Sequence, residues 1–168
     1  GPAGGPVIEA GDSEFKETFA RHLLCNHFLT QAVVPGMKKA GYGRVINIIS
    51  TSVKEPINGL GVSNTIRGAV ASWAKTMANE LGSYGITVNN VLPGATNTER
   101  LQSLVKTKAR KFSKSIDEIK QEMIKEIPLG RFADASEIAA AVIFLASPAA
   151  SYINGINLPV DGGRTGSL

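Results

Sequence analysis

Three short segments rich in Val, Ile and Leu divide the chain, at residues 45–49, 86–92 and 156–160. The first carries apolar, β-branched side chains on both sides of the backbone, which is typical of a parallel strand covered on both faces. Longer segments with apolar residues three and four apart, the spacing of an amphipathic helix, precede and separate them. This order of helices and strands predicts an α/β fold with a parallel sheet and right-handed crossovers.

The first two predicted helices have sequence signals at their ends. Asp12 or Ser13 can cap a helix over residues 13–34, and Pro35 predicts its end. A long helix is expected over residues 62–81, because apolar residues recur along one face and glycines follow it. Both helices should cover the sheet.

The C-terminal half predicts further helices. Residues 98–126 have the pattern of two amphipathic helices broken near Ser113. Asp134 and Glu137 have the spacing of a capping box, with Asp in place of the usual Ser or Thr, and predict the start of a last helix. Residues 1–168 are therefore expected to form one α/β domain with segment 98–126 as a helical insertion.

The charge distribution argues against nucleic-acid binding. The formal net charge is +4, from 18 Lys and Arg against 14 Asp and Glu. Most of the excess lies between residues 106 and 114, directly before an acidic segment, and only Phe112 offers an aromatic ring there. A polyanion site interleaves basic and aromatic residues, whereas this mixture is typical of a solvated helical face. We expect no nucleic acid among the partners.

The single cysteine and the two histidines leave little for disulfide or metal chemistry. Cys25 has no second cysteine to pair with, and with His22 and His27 it does not make a zinc set. The longest apolar run, residues 138–146, is about half of what a membrane helix needs. The first residues lack the features of a signal peptide. We therefore expect a cytoplasmic protein with no metal site and no membrane contact.

Hydroxyl-bearing residues and glycines follow the predicted strands. Ser50, Thr51 and Ser52 come directly after the first strand, and residues 93–98 (Pro-Gly-Ala-Thr-Asn-Thr) follow the second. Ligands of open parallel sheets bind beyond the carboxyl ends of the strands. Because glycine lets backbone N–H groups approach and Ser and Thr add hydroxyl donors, these positions suit a phosphate-bearing or carbonyl ligand.

Four longer motifs occur along the chain: GRVINIIS at residues 43–50, ELGSYGITVNNVLPG at 80–94, IPLGR at 127–131 and VDGG at 160–163. In this order they resemble the short-chain dehydrogenase/reductase family, most closely its bacterial 3-oxoacyl-[acyl-carrier-protein] reductases, over nearly the whole chain. The resemblance implies the C-terminal part of a Rossmann-like, doubly wound parallel sheet, with three strands and flanking helices. It also implies NAD or NADP as the cofactor and a small carbonyl or alcohol substrate.

The resemblance assigns some of the family's cofactor-binding positions to residues of this chain, and other cofactor-binding motifs of the family have no match here. Ala3 and Gly4 resemble the family's Asn-Asn-Ala-Gly motif after its fourth strand, and four residues are expected on the nicotinamide side: Pro93, Gly94, Thr96 and Thr98. The family's Gly-x-x-x-Gly-x-Gly fingerprint, which precedes that strand, does not occur here. The strand at 45–49 would then present an open apolar edge, which soluble proteins normally cover. We expect further residues, a partner or a second copy of the chain to cover it.

The catalytic positions depart from the family's Asn, Ser, Tyr and Lys. Ser50 matches the catalytic Ser, which hydrogen-bonds the substrate carbonyl. Counting on from it, Ser63 and Arg67 occupy the Tyr and Lys positions of Tyr-x-x-x-Lys. Counting back from Pro35, His22 falls at the Asn position. The family's Tyr is a phenol with an intrinsic pKa of about 10, lowered by the neighbouring Lys so that it can transfer a proton. A Ser hydroxyl is shorter and less acidic.

The substituted residues have functional and ordinary interpretations, which the sequence leaves open. Arg67 could bind a ribose or stabilise an oxyanion, or form a structural ion pair, but it does not release a proton. His22 could relay protons, since the usual pKa of histidine is about 6.5, or could be an ordinary helix histidine. Ser63 could belong to the site or cap a helix start.

Two functional hypotheses follow. In the first, the protein interconverts carbonyl and alcohol groups with NAD or NADP and this atypical catalytic set. In the second, it has lost the reaction and acts as a dimerisation or binding protein. Helices 13–34 and 62–81 resemble the family's four-helix dimer interface, so a homodimer or homotetramer is expected. Four side chains would supply apolar surface there: Phe15, Phe28, Trp73 and Met77.

Two further possibilities concern the length of the chain and its helical insertion. The chain could be a fragment of a longer protein. Segment 98–126 resembles the family's substrate-binding lid, and its Lys and Arg side chains could accept an acidic carrier protein or an acyl-phosphopantetheine.

Overall fold

The strands form one parallel sheet. The structure, a computed structural model, describes residues 4–167. The sheet has the order β1 (Gly43–Ile48), β2 (Ile86–Pro93) and β3 (Asn157–Val160), with both neighbouring pairs parallel. β2 lies in the middle and is buried over all but its last residue. The predicted α/β class and the three-stranded parallel sheet with flanking helices are confirmed.

Helices precede, separate and flank the strands. A π-helical segment, Ala20–Leu24, joins α1 (Asp12–Phe19) to α2 (Cys25–Ala40) without a break. Further α-helices of the described residues are α3 (Gly61–Leu81), α4 (Glu99–Phe112), α5 (Ile116–Lys125) and α6 (Ala135–Ala146). Short 3-10 turns cover Val7–Glu9, Thr51–Val53, Gly82–Tyr84 and Pro148–Ala150.

The first helix does not start with a side-chain cap. Gly11, rather than Asp12 or Ser13, is its N-cap, and no side chain completes the cap. The carbonyl of Gly11 accepts hydrogen bonds from the backbone N–H groups of Glu14 and Phe15, at 3.1 and 3.3 Å. The prediction of a cap by Asp12 or Ser13 is therefore wrong, because both residues already lie inside the helix.

Pro35 does not end the helix, so that prediction is also wrong. α2 continues to Ala40 and ends at Gly41, whose φ of 62° is left-handed. Pro35 is exposed, whereas Val34 and Met37 on either side pack against the core. Burial of these two side chains holds the segment helical, although the proline removes one N–H from the hydrogen-bond ladder.

α3 and α6 cover opposite faces of the sheet. On one face, Ala74 of α3 packs with Val88 of β2. On the other face, Ile138 and Leu145 of α6 pack with Val91 of β2. Both faces of the central strand are therefore buried, which explains why apolar and polar residues do not strictly alternate along it.

The apolar surface of the long helices is smaller than expected. Trp73 and Met77 pack against the core and are half-buried, as is Phe15, so these three supply less surface than predicted. Phe28 of α2 is 62% exposed. Two further apolar side chains of α2 are exposed with it, Leu29 and Val33. We call Phe28, Leu29 and Val33 the α2 strip.

Segment 98–126 folds into the two predicted helices. The break lies at Ser113, whose φ of 52° is left-handed. Thr98 and Ser115 cap α4 and α5, and their hydroxyl oxygens accept hydrogen bonds from backbone N–H groups. The two helices share a small core of their own, formed by Leu101, Val105, Ala109 and Ile119.

The loop before α6 is fixed to the start of that helix. The backbone N–H of Asp134 donates to Glu137 Oε2 at 2.8 Å. The Arg131 guanidinium binds the same carboxylate through two hydrogen bonds of 2.7 Å. The bond from Arg131 and that from Asp134 lower the pKa of Glu137 to about 2, so this pairing persists over the usual pH range.

β1 lies at an edge of the sheet. It pairs with β2 on one side, and within residues 4–167 no strand pairs with its other side. The side chain of Ile48, at the end of β1, is 55% exposed. We predict that further residues, a partner or a second copy of the chain covers this edge, and this stays a prediction.

Candidate active site

Ser50 lies two residues beyond the end of β1, where the chain turns into the 3-10 helix Thr51–Val53. Its Oγ accepts a hydrogen bond from the backbone N–H of Ser52 at 3.1 Å. A hydroxyl that accepts one hydrogen bond still has its own proton to donate. Ser50 is half-buried, so this donor is available to a ligand beside it.

A cavity of about 370 Å³ opens beside Ser50 at the carboxyl ends of β1 and β2. α4 forms its far wall. Its volume is within the range of small-molecule sites. Five of the sequence-predicted site residues line it together: Ser50, Pro93, Gly94, Thr96 and Thr98. We call this space the Ser50 cavity.

A glycine and two threonines that follow β2 form one wall of this cavity. A Cβ on Gly94 would lie 2.7 Å from Asp161 Cα, so only glycine allows the two loops to approach this closely. Thr96 Oγ1 donates to the carbonyl of Gly94 at 3.1 Å, and Thr98 Oγ1 donates to the carbonyl of Thr96 at 3.3 Å. Thr98 also accepts from the N–H of Leu101. The hydroxyls are thus oriented by the backbone around them.

Arg67 and His22 lie near each other, but neither lines the Ser50 cavity. Arg67 Nη1 donates to the carbonyl of Ile48 at 3.4 Å, so its guanidinium lies against the end of β1. Burial lowers the pKa of Arg67. Burial and the charge of Arg67 also lower the pKa of His22, which makes its imidazole neutral at neutral pH. His22 sits in the π-helical segment, and such segments are frequent at functional sites.

Ser63 and Gly4 lie apart from the Ser50 cavity. The N-cap of α3 is Leu60, so the interpretation of Ser63 as a helix cap is wrong. Gly4 lines a smaller cavity of about 150 Å³, beside Glu9 and Glu14. Ala3 lies outside the described residues.

Four charged residues line the Ser50 cavity: Arg100, Lys108, Glu126 and Arg164. The sequence interpretation considered the basic residues of segment 98–126 only as a group and missed Glu126 and Arg164. Arg164 bonds Glu126, with an Nη2 to Oε2 distance of 3.2 Å. The eight-residue spacing between Arg100 and Lys108 could have shown that both lie on one flank of α4. Their position facing the cavity depends on tertiary packing.

A row of asparagines beneath α2 and α3 was also missed. Asn47 Nδ2 donates to Asn90 Oδ1 at 3.0 Å, and Asn90 Nδ2 donates to Asn157 Oδ1 at 2.8 Å. Asn26 of α2 donates to Asn47 Oδ1 at 3.4 Å. The asparagines within the three predicted strands were the available signal, although β2 has two of them, Asn89 and Asn90. The row joins residues that the sheet register places opposite each other.

Residues 1–165 match the family model described as "Enoyl-(Acyl carrier protein) reductase". The chain belongs to the short-chain dehydrogenase/reductase family. Within residues 4–167 of this family member, no three His, Cys, Asp or Glu side chains are grouped so that they could hold a metal ion. In the same range, no helix combines the length and apolar character that a membrane span requires.

Known members of the short-chain dehydrogenase/reductase family match most of the chain. The 3-oxoacyl-[acyl-carrier-protein] reductase FabG of Vibrio harveyi is 35% identical over 159 residues, which are 94% of this chain and 60% of that protein. Trans-4-hydroxycyclohexanecarboxylate dehydrogenase of Sinomonas cyclohexanicum is 38% identical over 167 residues, or 96% of this chain and 56% of that protein.

A solved structure of the same family matches the fold. The crystal structure of YwfH, an NADPH-dependent reductase involved in bacilysin biosynthesis, has a TM-score of 0.93 and 28% identity. The match covers 100% of this chain and 65% of YwfH. The chain spans about 58–60% of the length of the first curated relatives that it matches.

Proposed function

We propose that this short-chain dehydrogenase/reductase is an oxidoreductase that interconverts a carbonyl and an alcohol with NAD or NADP. The observation that carries the proposal is the Ser50 cavity, where a free hydroxyl donor faces Pro93, Gly94, Thr96 and Thr98. The names of the relatives support it, since they are reductases and a dehydrogenase.

The residues after β2 fit the nicotinamide side of such a cofactor. Pro93 and Ala95 give the Ser50 cavity an apolar wall for a planar ring, and Thr96 and Thr98 place hydroxyl oxygens beside it. The family's pyrophosphate fingerprint does not occur in this sequence, so only the nicotinamide side is assigned to residues of this chain. When bound, the cofactor supplies or accepts the hydride.

Ser50 would hold the substrate oxygen. Its O–H donates to the carbonyl oxygen and stabilises the negative charge that develops there during reduction. The hydrogen bond that Oγ accepts from Ser52 fixes its orientation. A half-buried donor that is already oriented needs little rearrangement when charge develops.

Arg67 and His22 would complete the atypical catalytic set. Arg67 remains cationic at neutral pH despite its lowered pKa, so it stabilises charge at the end of β1 but transfers no proton. His22 is neutral but does not line the Ser50 cavity, so it would accept the proton that leaves an alcohol during oxidation through an intervening water. Ser63 lies one turn before Arg67 on α3 but does not line the Ser50 cavity, so no direct contact with the substrate is assigned to it.

A panel of ketones and alcohols, assayed with NADH, NADPH, NAD and NADP on the intact protein, tests this proposal. We expect turnover with one cofactor pair, lost in Ser50→Ala. The absence of turnover with every substrate, together with no nucleotide binding, would contradict the proposal.

The α2 strip supports a second candidate, a catalytically inactive dimerisation protein. Phe28, Leu29 and Val33 are exposed on one helix. Exposed apolar patches of this kind mark association sites. A stable homodimer or homotetramer that binds neither NAD nor NADP would favour this candidate over the enzyme. Sizing and nucleotide titration separate the two.

A further inference from the structure

We propose that the substrate carries an anionic group, a carboxylate or a phosphate, in addition to its carbonyl or hydroxyl group. Arg100 and Lys108 bind this group in the Ser50 cavity. The inference rests on the proposed function, because it takes the Ser50 cavity as the place where the substrate binds.

The charges that line the Ser50 cavity are unbalanced. Arg100, Lys108 and Arg164 are cationic, and Glu126 is anionic. Glu126 is bound to Arg164, with two nitrogens of the guanidinium 3.2 and 3.3 Å from Oε2. Within residues 4–167, Arg100 and Lys108 form no salt bridge. Two positive charges therefore face the cavity without a compensating carboxylate.

Both unpaired cations lie on the same flank of α4. Eight residues separate Arg100 from Lys108, which is about 12 Å along the helix axis. Leu104 lies between them and also lines the Ser50 cavity. Lys106 lies on the other flank and lines a separate cavity with Gln102. The helix thus directs two specific cations, and not the whole basic segment, toward the Ser50 cavity.

Apart from these charges, the lining of the Ser50 cavity is largely apolar. Leu101, Leu104 and Met123 belong to this apolar lining. A ligand that places its carbonyl at Ser50 and its anionic group at Arg100 and Lys108 would contact these side chains with an apolar chain. The substrate class is therefore an oxo- or hydroxy-carboxylate, or the corresponding phosphate ester, with several carbons between its two polar groups.

Binding of unreactive probes to the intact protein tests the anion site without turnover. The probes are hexanoate, hexyl phosphate and hexanamide, the last being the neutral counterpart of hexanoate, and calorimetry measures their dissociation constants. We expect one of the anions to bind about tenfold more tightly than hexanamide, as a charge-assisted hydrogen bond provides. The anion that binds more tightly identifies the group as carboxylate or phosphate.

Variants locate the site. Arg100→Gln and Lys108→Gln should each abolish most of the preference for the anion. Lys106→Gln removes the same charge from the other flank of the same helix, and this variant should retain the preference for the anion. Circular dichroism of each variant confirms that the fold is unchanged. Equal binding of anion and amide, or an equal loss in Lys106→Gln, would overturn the inference.

Turnover of 5-oxohexanoate and 5-oxohexanamide separates this inference from the proposed function. A higher kcat/KM for the carboxylate, reduced in Arg100→Gln through KM, supports both. Equal kcat/KM for the two substrates overturns the anion site while the oxidoreductase function stands. Anion binding that follows the variants, without turnover of either substrate, supports the anion site and contradicts the oxidoreductase function.

Discussion

At the residue scale, Ser50 is the one predicted catalytic group that lines the Ser50 cavity. The hydrogen bond that Ser50 accepts is compatible with the catalytic position that the family resemblance gives it. A serine just after a strand can cap the following turn and still direct its hydroxyl toward the strand ends. Arg67 donates to the carbonyl of Ile48 at the end of β1, and its charge acts on His22. Neither side chain lines the Ser50 cavity.

Replacing Ser50 tests its role directly. Ser50→Ala should lower kcat by about a hundredfold or more, since loss of one oriented donor to a developing oxyanion has this effect. Steady-state kinetics with the best substrate of the panel measures it. Ser103→Ala, an exposed serine of α4, is the matched control and should leave kcat unchanged. A Ser50→Ala enzyme with normal kcat would remove Ser50 from the mechanism.

The lowered pKa of His22 predicts acid-dependent stability. The unfolded chain has a histidine pKa of about 6.5, and the folded pKa is lower because of burial and Arg67. As pH falls below about 6.5, the unfolded state takes up a proton before the folded state does. The free energy of unfolding should therefore decrease from neutral pH into the acid range.

Urea unfolding at a series of pH values between 5 and 8 measures this contribution. His22→Gln should unfold with a weaker pH dependence than the natural chain. Arg67→Gln removes a charge that lowers the pKa of His22, so it should also weaken the dependence. An unchanged slope in His22→Gln would show that other groups cause the acid sensitivity.

At the element scale, tertiary packing extends the first predicted helix, which ends as α2, beyond the end that its sequence predicts. Pro35 predicts a helix end from local chemistry, but α2 runs on for five residues because Val34 and Met37 are anchored in the core. The break at Ser113 was predicted correctly, since α4 and α5 contact mainly each other there and local signals decide.

Removal of the proline should stabilise α2. Pro35→Ala restores an N–H to the helix and should raise the free energy of unfolding by about 1–2 kcal/mol. Gly36→Ala, at the next exposed position, is the comparison and should give a gain of about 0.5–1 kcal/mol, since its Cβ meets nothing within 4 Å. Denaturant unfolding measures both. A Pro35→Ala protein that is less stable would mean that the proline fits the helix without cost.

The asparagine row should matter to the stability of the sheet. Asn90→Ala removes the partner of both Asn47 and Asn157, and leaves the buried Nδ2 of Asn47 and the half-buried Oδ1 of Asn157 without these hydrogen bonds. We expect a loss of about 2–4 kcal/mol in the free energy of unfolding. Asn97→Ala, at an exposed position after β2, should change it by less than about 0.5 kcal/mol. Equal effects of the two would show that the row contributes nothing.

At the scale of the whole molecule, apolar surface is exposed within residues 4–167. It includes the outer side of β1, where Ile48 is exposed, and the α2 strip. Open sheet edges and apolar patches favour association with another chain or segment. An oligomer formed through α2 and α3 remains the expectation.

Charge on the α2 strip should weaken self-association. Phe28→Glu places a carboxylate in the strip, and we expect the apparent mass in sedimentation to fall toward that of one chain. Phe112→Glu, at the end of α4 and 56% exposed, is the matched control and should leave the mass unchanged. If both variants keep the oligomer, the strip is not the interface.

The sequence by itself determined the α/β order, the three strands, the break at Ser113 and the residues at the strand ends, because each depends on neighbouring residues and their periodicity. Only the tertiary structure decided that Pro35 stays helical, that Trp73 packs inward, and that Arg100 and Lys108 face the Ser50 cavity. These outcomes depend on packing between segments far apart in the chain, and the free energy of that packing exceeds the local preferences that a sequence pattern records.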